Sequence, residues 1–131
     1  AQIEHLLEIQ NKREKLWKSY FDGLSKWASE NGLKLPFIPN YASNNAHMFF
    51  IVCKDLQQRT KIANALKQKN ILAVFHYLSL HDSPFFHEKH DRRVLENSNR
   101  YSACLLRLPM YYELNKKEID LIIATIKNCD L

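Results

Sequence analysis

The chain has 131 residues, 46% of them hydrophobic and 25% charged, with a formal net charge of +5 and a pI near 9.1. This describes one ordinary globular domain with a sizeable core, and no apolar run approaches the roughly 20 residues that would cross a bilayer. The basic residues are scattered among acids rather than blocked, so a solvated basic surface is expected and not a nucleic-acid-binding one.

Residues 2–30 read as one long helix. Apolar residues recur at Ile3, Leu6 and Leu7, and again at Trp17, Tyr20, Phe21, Leu24 and Trp27. The intervening stretch, residues 10–15, is polar all round. A helix with greasy ends and a polar middle can bridge two bodies; fraying or self-association of its first turns is the alternative. The opening carries no signal-peptide pattern and begins with Ala1, which leads to the expectation of a processed product or a piece of a longer chain.

Asn31-Gly32 stops this helix, glycine being at ease in a left-handed cap. A proline-stiffened connection through Pro36 and Pro39 leads to a strand over residues 46–53. Its near-continuous apolar character predicts burial on both faces. Asp55 is placed to cap a helix over residues 56–69, with Ile62, Ala63, Ala65 and Leu66 inward and Asn70 as its left-handed stop. A second buried strand is expected at residues 71–75, making a βαβ-like unit unless the pairing is antiparallel.

From residue 76 the chain becomes chemically dense: His76, Tyr77, Ser79, His81 and Asp82, then a turn at Pro84. A charged segment follows over residues 87–93 and reads as an exposed loop. A short helix near residues 95–103 and a third strand over residues 104–109, ended by Pro109, come next. Asn115 with Glu118 three residues on is a capping-box pattern, and the last helix sets Ile119, Ile122, Ile123 and Ile126 on one face. The elements predict an α/β (α+β) domain. It has a small three- to four-stranded, mostly antiparallel sheet packed by helices, with the long N-terminal helix alongside.

The chemistry-bearing residues admit several readings. His76, His81, His87 and His90 with Asp82 and Asp91 could surround a metal, but they lack any established ligand spacing. Ser79, His81 and Asp82 are too close in sequence to aim at one another as a hydrolase triad, and no nucleophile elbow is present. His76 and Tyr77 sit where strand gives way to loop; they either close the core as satisfied polar groups or meet a sugar hydroxyl or phosphate. Arg107 lies in an apolar strand and either faces solvent or meets an anion. Cys53, Cys104 and Cys129 are odd in number and widely spaced, with no CxxC, which suits free thiols in a reducing cytoplasm. Two glycines, Gly23 and Gly32, cannot build a phosphate cradle.

Taken together, residues 45–49 (Asn-Ala-His-Met-Phe), residues 73–77 (Ala-Val-Phe-His-Tyr) followed by Leu80-His81, and Ser102 ahead of residues 105–109 (Leu-Leu-Arg-Leu-Pro) resemble the C-terminal region of the PLP-dependent sugar-nucleotide aminotransferases. The opening 24 residues are similar to the helix that joins their large and small domains. The resemblance implies a division into residues 1–30, a linking helix, and residues 31–131, a small domain. It implies a parent that transfers an amino group from glutamate to a nucleotide-linked 4-keto-6-deoxy sugar, working as a cytoplasmic homodimer with neither membrane nor nucleic-acid partner. The Schiff-base lysine would lie outside this chain, which would then hold no PLP and be inactive alone. His76, Tyr77 and His81 would line the mouth where the sugar nucleotide arrives, and Arg107 would meet glutamate's carboxylate or a phosphate. Serine at 79, where the family commonly has proline, and the charged loop depart from the pattern. The competing expectation is a stand-alone α/β module for an anionic ligand or a protein partner.

Overall fold

A computed structural model describes residues 2–75 and 77–131, with the backbone alone at residue 2. A single 3-10 turn, Gln2–His5, leads into α1 (Leu6–Glu30). After a long connection come β1 (Phe49–Val52), α2 (Leu56–Gln68), α3 (Glu96–Cys104), β2 (Leu105–Leu108) and α4 (Lys116–Lys127).

Local chemistry sets the boundaries. At the end of α1, Gly32 takes φ +71°, the Leu33 N–H donates to the Ala28 carbonyl at 2.9 Å and the Gly32 N–H to Ser29 at 3.5 Å. This is the paired termination that a left-handed residue permits. Asn70, at φ +59°, does the same for α2, with the Ile71 N–H donating to Leu66 and its own to Lys67. The Asp55 carboxylate accepts from the Gln58 N–H at 2.8 Å, and Asn115 and Glu118 form the full capping box of α4. Strand β1 begins later than the apolar pattern suggested. Ala46 adopts φ +49°, and its N–H is held at 2.9 Å by the Asn44 side chain, so the chain turns before it extends.

The sheet is narrow and wholly antiparallel. Phe49, Phe50, Ile51 and Val52 pair with Leu108, Arg107, Leu106 and Leu105. Single bridges extend it on both sides, Lys34 to Val52 and Val74 to Arg107, so four segments lie side by side. The expected strand over residues 71–75 is reduced to that one bridge. It is not buried: Leu72 is 79% exposed and Phe75 47%. Its position explains this, since it is the outer edge and has a neighbour on one side only. Because both β1 and this segment run antiparallel to β2, they are parallel to each other with β2 between them. The βαβ reading therefore holds in split form.

One core joins the elements. Leu16, Tyr20, Leu24 and Ala28 of α1, Ile62 and Leu66 of α2, and Ile119, Ile122 and Ile126 of α4 cluster with Phe49, Ile51, Leu106 and Leu108. Leu16 and Ala28 take the positions expected of Trp17 and Trp27, which are half-buried at the margin. The Tyr20 ring stacks on Phe49 at 5.1 Å and its hydroxyl donates to the Pro109 carbonyl at 3.0 Å. Gly23 lets α1 approach α4 closely, as a Cβ there would meet Ile123 Cδ1 at 2.7 Å.

The polar part of α1 docks through its own contacts. Gln10 donates to the Asn45 carbonyl at 3.0 Å, Lys12 lies 4.2 Å over the Tyr112 ring, and the Tyr112 hydroxyl donates to Glu8. Ile3, Leu6 and Leu7 are 87%, 57% and 79% exposed and contribute nothing to this core. Among the described residues, no helix is long and apolar enough to cross a membrane.

Candidate functional site

The loop between the Val74 bridge and α3 carries most of the chain's imidazoles, and side chains rather than the hydrophobic core hold it in place. A face of α3 forms the clamp. Ser102 donates to the Tyr77 carbonyl at 2.8 Å, Ser98 to the Ser79 hydroxyl at 3.2 Å, and His81 Nε2 lies 2.7 Å from Asn99 Oδ1. A carbonyl oxygen only accepts, so the His81 nitrogen donates. From α2, Arg59 donates to the Ser102 carbonyl at 2.9 Å and lays its guanidinium 5.0 Å over the Phe75 ring. Positions 98, 99 and 102 share one helical face, and this spacing was a legible signal that sequence reasoning passed over.

Beyond the clamp, Leu80–Asp82 make a short 3-10 turn, with the Asp82 N–H donating to Ser79 at 3.0 Å and the Ser83 N–H to Leu80 at 3.1 Å. Ser83 then bonds back to the Leu80 carbonyl at 2.7 Å and receives the His87 N–H on its own carbonyl at 2.9 Å. These turns fold the loop back so that His81 and His90 meet, ring centres 5.1 Å apart.

A cavity of about 260 Å3 opens here, lined by His81, Asp82, His87, His90, Arg92, Arg93, Val94 and Asn99. His90, expected on an exposed loop, is instead mostly enclosed, its side chain only 18% exposed. The Arg92 N–H donates to His90 Nδ1 at 3.0 Å, which places the neutral ring's proton on Nε2. That nitrogen is buried and makes no hydrogen bond. Asp91 Oδ1 lies 3.5 Å from it but is poorly aligned, and accepts instead from the Arg93 N–H at 3.2 Å. Arg92 holds φ +60°, a conformation an arginine adopts only when its surroundings impose it.

The four residues singled out from sequence do not converge on one cavity. His81 lines the basic cavity. Tyr77, 72% exposed, lines a separate apolar concavity with Ala73, Val74, Phe75 and Leu78. Arg107 is half-buried on β2, pairs with Phe50 and Val74, and lines neither. Alternation along β2 sends Leu106 and Leu108 to the core and Arg107 to the opposite face. The assignment of His76 lies outside the described residues. Among the described residues, no three of His, Cys, Asp and Glu converge as metal ligands would.

The lysines among the described residues bear on whether this chain could hold a coenzyme. A PLP site needs a sheltered lysine amine and a cradle for the phosphate. Every lysine is exposed except half-buried Lys12, which sits on Tyr112. Cys53, which burial and the neighbouring Cys104 push up to about 12, lies in the core away from the loop.

Comparison with known proteins bears on the fold and its lineage. The chain superposes on DesV from S. venezuelae, solved in complex with a ketimine intermediate, with a TM-score of 0.83 and 21% identity over 95% of this chain and 33% of that one. Helicobacter pylori PseC, an aminotransferase involved in the biosynthesis of pseudoaminic acid, gives 0.77 and 16% over 95% and 33%. Spr1654 from Streptococcus pneumoniae in its PLP form gives 0.80 and 17% over 96% and 32%. The chain thus spans about a third of the length of these structures. The profile of the DegT/DnrJ/EryC1/StrS aminotransferase family matches residues 1–127, nearly the entire sequence, and the chain belongs to that family.

Proposed function

We propose that the chain is the small-domain part of a PLP-dependent sugar-nucleotide aminotransferase, with residues 1–30 joining it to a large domain and residues 31–131 forming the small domain. In this reading the parent moves an amino group from glutamate to a nucleotide-linked 4-keto-6-deoxy sugar, as a dTDP-4-amino-4,6-dideoxygalactose transaminase would. It works as a cytoplasmic homodimer. The observation that carries the reading is the family match over residues 1–127 in a chain that spans a third of its structural relatives. The PLP form of Spr1654 supports the coenzyme. The exposed Ile3, Leu6 and Leu7 support a helix that packs on a further body, since contiguous apolar side chains left in water mark an interaction surface.

The chain's own contribution is a wall. In this reading His76, Tyr77 and His81 hydrogen-bond to sugar or diphosphate; the clamp from α3 holds the loop at Tyr77, Ser79 and His81. Arg107 offers a guanidinium to a carboxylate or phosphate. The coenzyme supplies the electron sink when bound, and its lysine comes from outside this chain. The test is expression of the complete reading frame, with a search for the lysine-bound coenzyme chromophore and an assay of amino transfer from glutamate to the dTDP-linked keto sugar. A colourless protein that binds no PLP would refute the reading; a coloured one inactive on keto sugars would refute the substrate.

A further inference from the structure

We infer that the loop over residues 87–93 is held shut by the uncharged form of His90, and that acid releases it. This holds whatever the parent's substrate. His90 Nδ1 accepts the Arg92 N–H at 3.0 Å. Only a nitrogen without a proton can accept, and an imidazolium carries a proton on both. A charged His90 would therefore turn one N–H against another at this bond. The second ring nitrogen offers no compensation. Nε2 is buried and hydrogen-bonds to no described residue. Asp91 Oδ1, 3.5 Å away, accepts from the Arg93 N–H instead and lies 3.6 Å from Arg93 Nε. A buried charge without a hydrogen-bonded partner is disfavoured.

The surrounding charges do not reverse the sign. The loop itself brings His87, Arg92 and Arg93 to the cavity that His90 lines, while Lys89 lies 3.6 Å over the Phe85 ring. The 3-10 turn brings the His81 ring to 5.1 Å, and Asp82 lies 3.5 Å from His81 Nε2 rather than against His90. The helix α3 faces these cavities with Ser98 and Asn99, both uncharged. Asp82, Asp91 and Arg93 are all exposed, so water screens them and the bond at Nδ1 decides.

Arg92 turns that bond into a latch. Its φ of +60° is one that a non-glycine residue holds only under constraint. The bond from its N–H back to the ring spans two residues, as an Asx turn does, and supplies the constraint. Once His90 takes up a proton the constraint is lost and the backbone relaxes to negative φ. The release reaches His81, because the His90 ring packs against the His81 ring while His81 donates to Asn99. In this scheme the open loop binds the proton and the closed loop excludes it. Closure is then fully present above the ordinary imidazole range and is lost as pH falls through it. An imidazole in water titrates near ~6.5, so the closing equilibrium should weaken about tenfold between about pH 7.5 and about pH 5.5.

The test follows the Arg92 amide of the 131-residue chain by native-state hydrogen exchange, corrected for the pH dependence of exchange itself. Protection of that amide should fall about tenfold over this range, while amides in α2 and α4 keep theirs. His90→Asn retains an acceptor for the Arg92 N–H, since an asparagine carbonyl reaches the amide two residues on, yet it cannot titrate. Its Arg92 protection should stay within about twofold across the range. Constant protection in the unaltered chain would overturn the latch. So would an equal fall in His90→Asn, which would assign the response to His81 or His87. If His90→Asn leaves the loop open at every pH, imidazole nitrogen NMR of the unaltered chain decides. His90 should carry its proton on Nε2 alone at about pH 7.5 and become imidazolium only in step with the loss of Arg92 protection. An imidazolium at His90 beside a still-protected Arg92 amide would overturn the latch as well.

Discussion

Replacing Asn99 with Ala isolates the clamp on the candidate loop. Asn99 is exposed, and the one hydrogen bond described for its side chain is the 2.7 Å bond from His81, whose side chain is only 11% exposed. Alanine is the better helix former, so α3 itself loses nothing. What is lost is one neutral hydrogen bond, worth about 1 ± 0.5 kcal/mol net. That is a two- to twelvefold rise in the open population of the turn, centred near fivefold, given tenfold per ~1.4 kcal/mol. The Asp82 and Ser83 amides report it, since their bonds to Ser79 and Leu80 define the turn. Native-state hydrogen exchange should speed up at those two amides by about fivefold while amides in α2 and α4 keep their rates. Equal acceleration across α2 and α4 would mean that Asn99 supports the global fold. Unchanged exchange at Asp82 and Ser83 would show that the clamp does not hold the loop.

Three further outcomes follow from the core. Gln58 is 2% exposed and serves two backbone groups, accepting from Lys54 at 2.8 Å and donating to the Asn31 carbonyl at 3.1 Å. Gln58→Leu should therefore cost about 2–4 kcal/mol in urea unfolding, and a loss under ~0.5 kcal/mol would contradict this accounting. Tyr20→Phe keeps the stack on Phe49 and removes only the bond to Pro109, so the thermal midpoint should fall by about 3–5 °C. Cys53 rises from 9.0 to about 12 in the folded chain. The folded state then holds its proton more tightly than the unfolded one. Stability is fully present below pH ~9 and falls between pH ~9 and ~12 by at most about 1.4 kcal/mol per unit. Cys53→Ala should flatten that alkaline slope, and an identical slope in the variant would remove Cys53 as its cause.

What could be read from the sequence is what local chemistry determines. Asp55, Asn70, Asn115 and the Asn31-Gly32 pair act within a few residues of themselves, and each sits where its side chain or permitted φ says it should. The strands were legible as apolar runs, but the width of the sheet was not. Residues 71–75 carry the composition of a buried strand, and only their place at the sheet edge reduces them to one bridge. The site was legible in part. The density of histidines near residue 81 was plain, whereas the enclosure of His90 depends on turns at Ser83 and Arg92 that no periodicity encodes. Tyr77 and His81, four residues apart, line different concavities, with the buried Ser79 between them in the chain.

The clamp also shows how this fold separates the stability of the core from the chemistry of the loop. Within α3 only Cys104 is buried, so the helix adds little to a core supplied by α1, α2, α4 and the sheet. Its polar face instead binds the loop, through Ser98, Asn99 and Ser102. Each of these bonds is worth about 1 kcal/mol, against ~1.5–3 kcal/mol for each fully buried side chain such as Leu24 or Ile126. Changes within residues 77–93 can therefore alter the chemistry of the loop surface at a cost the core can absorb. The reverse does not hold. Displacing α2 would move Arg59, and with it the ring of Phe75 and the Ser102 carbonyl, so damage to α2 reaches the loop through this guanidinium. The result is an asymmetry: side chains free to vary, on a backbone whose position is inherited from the core.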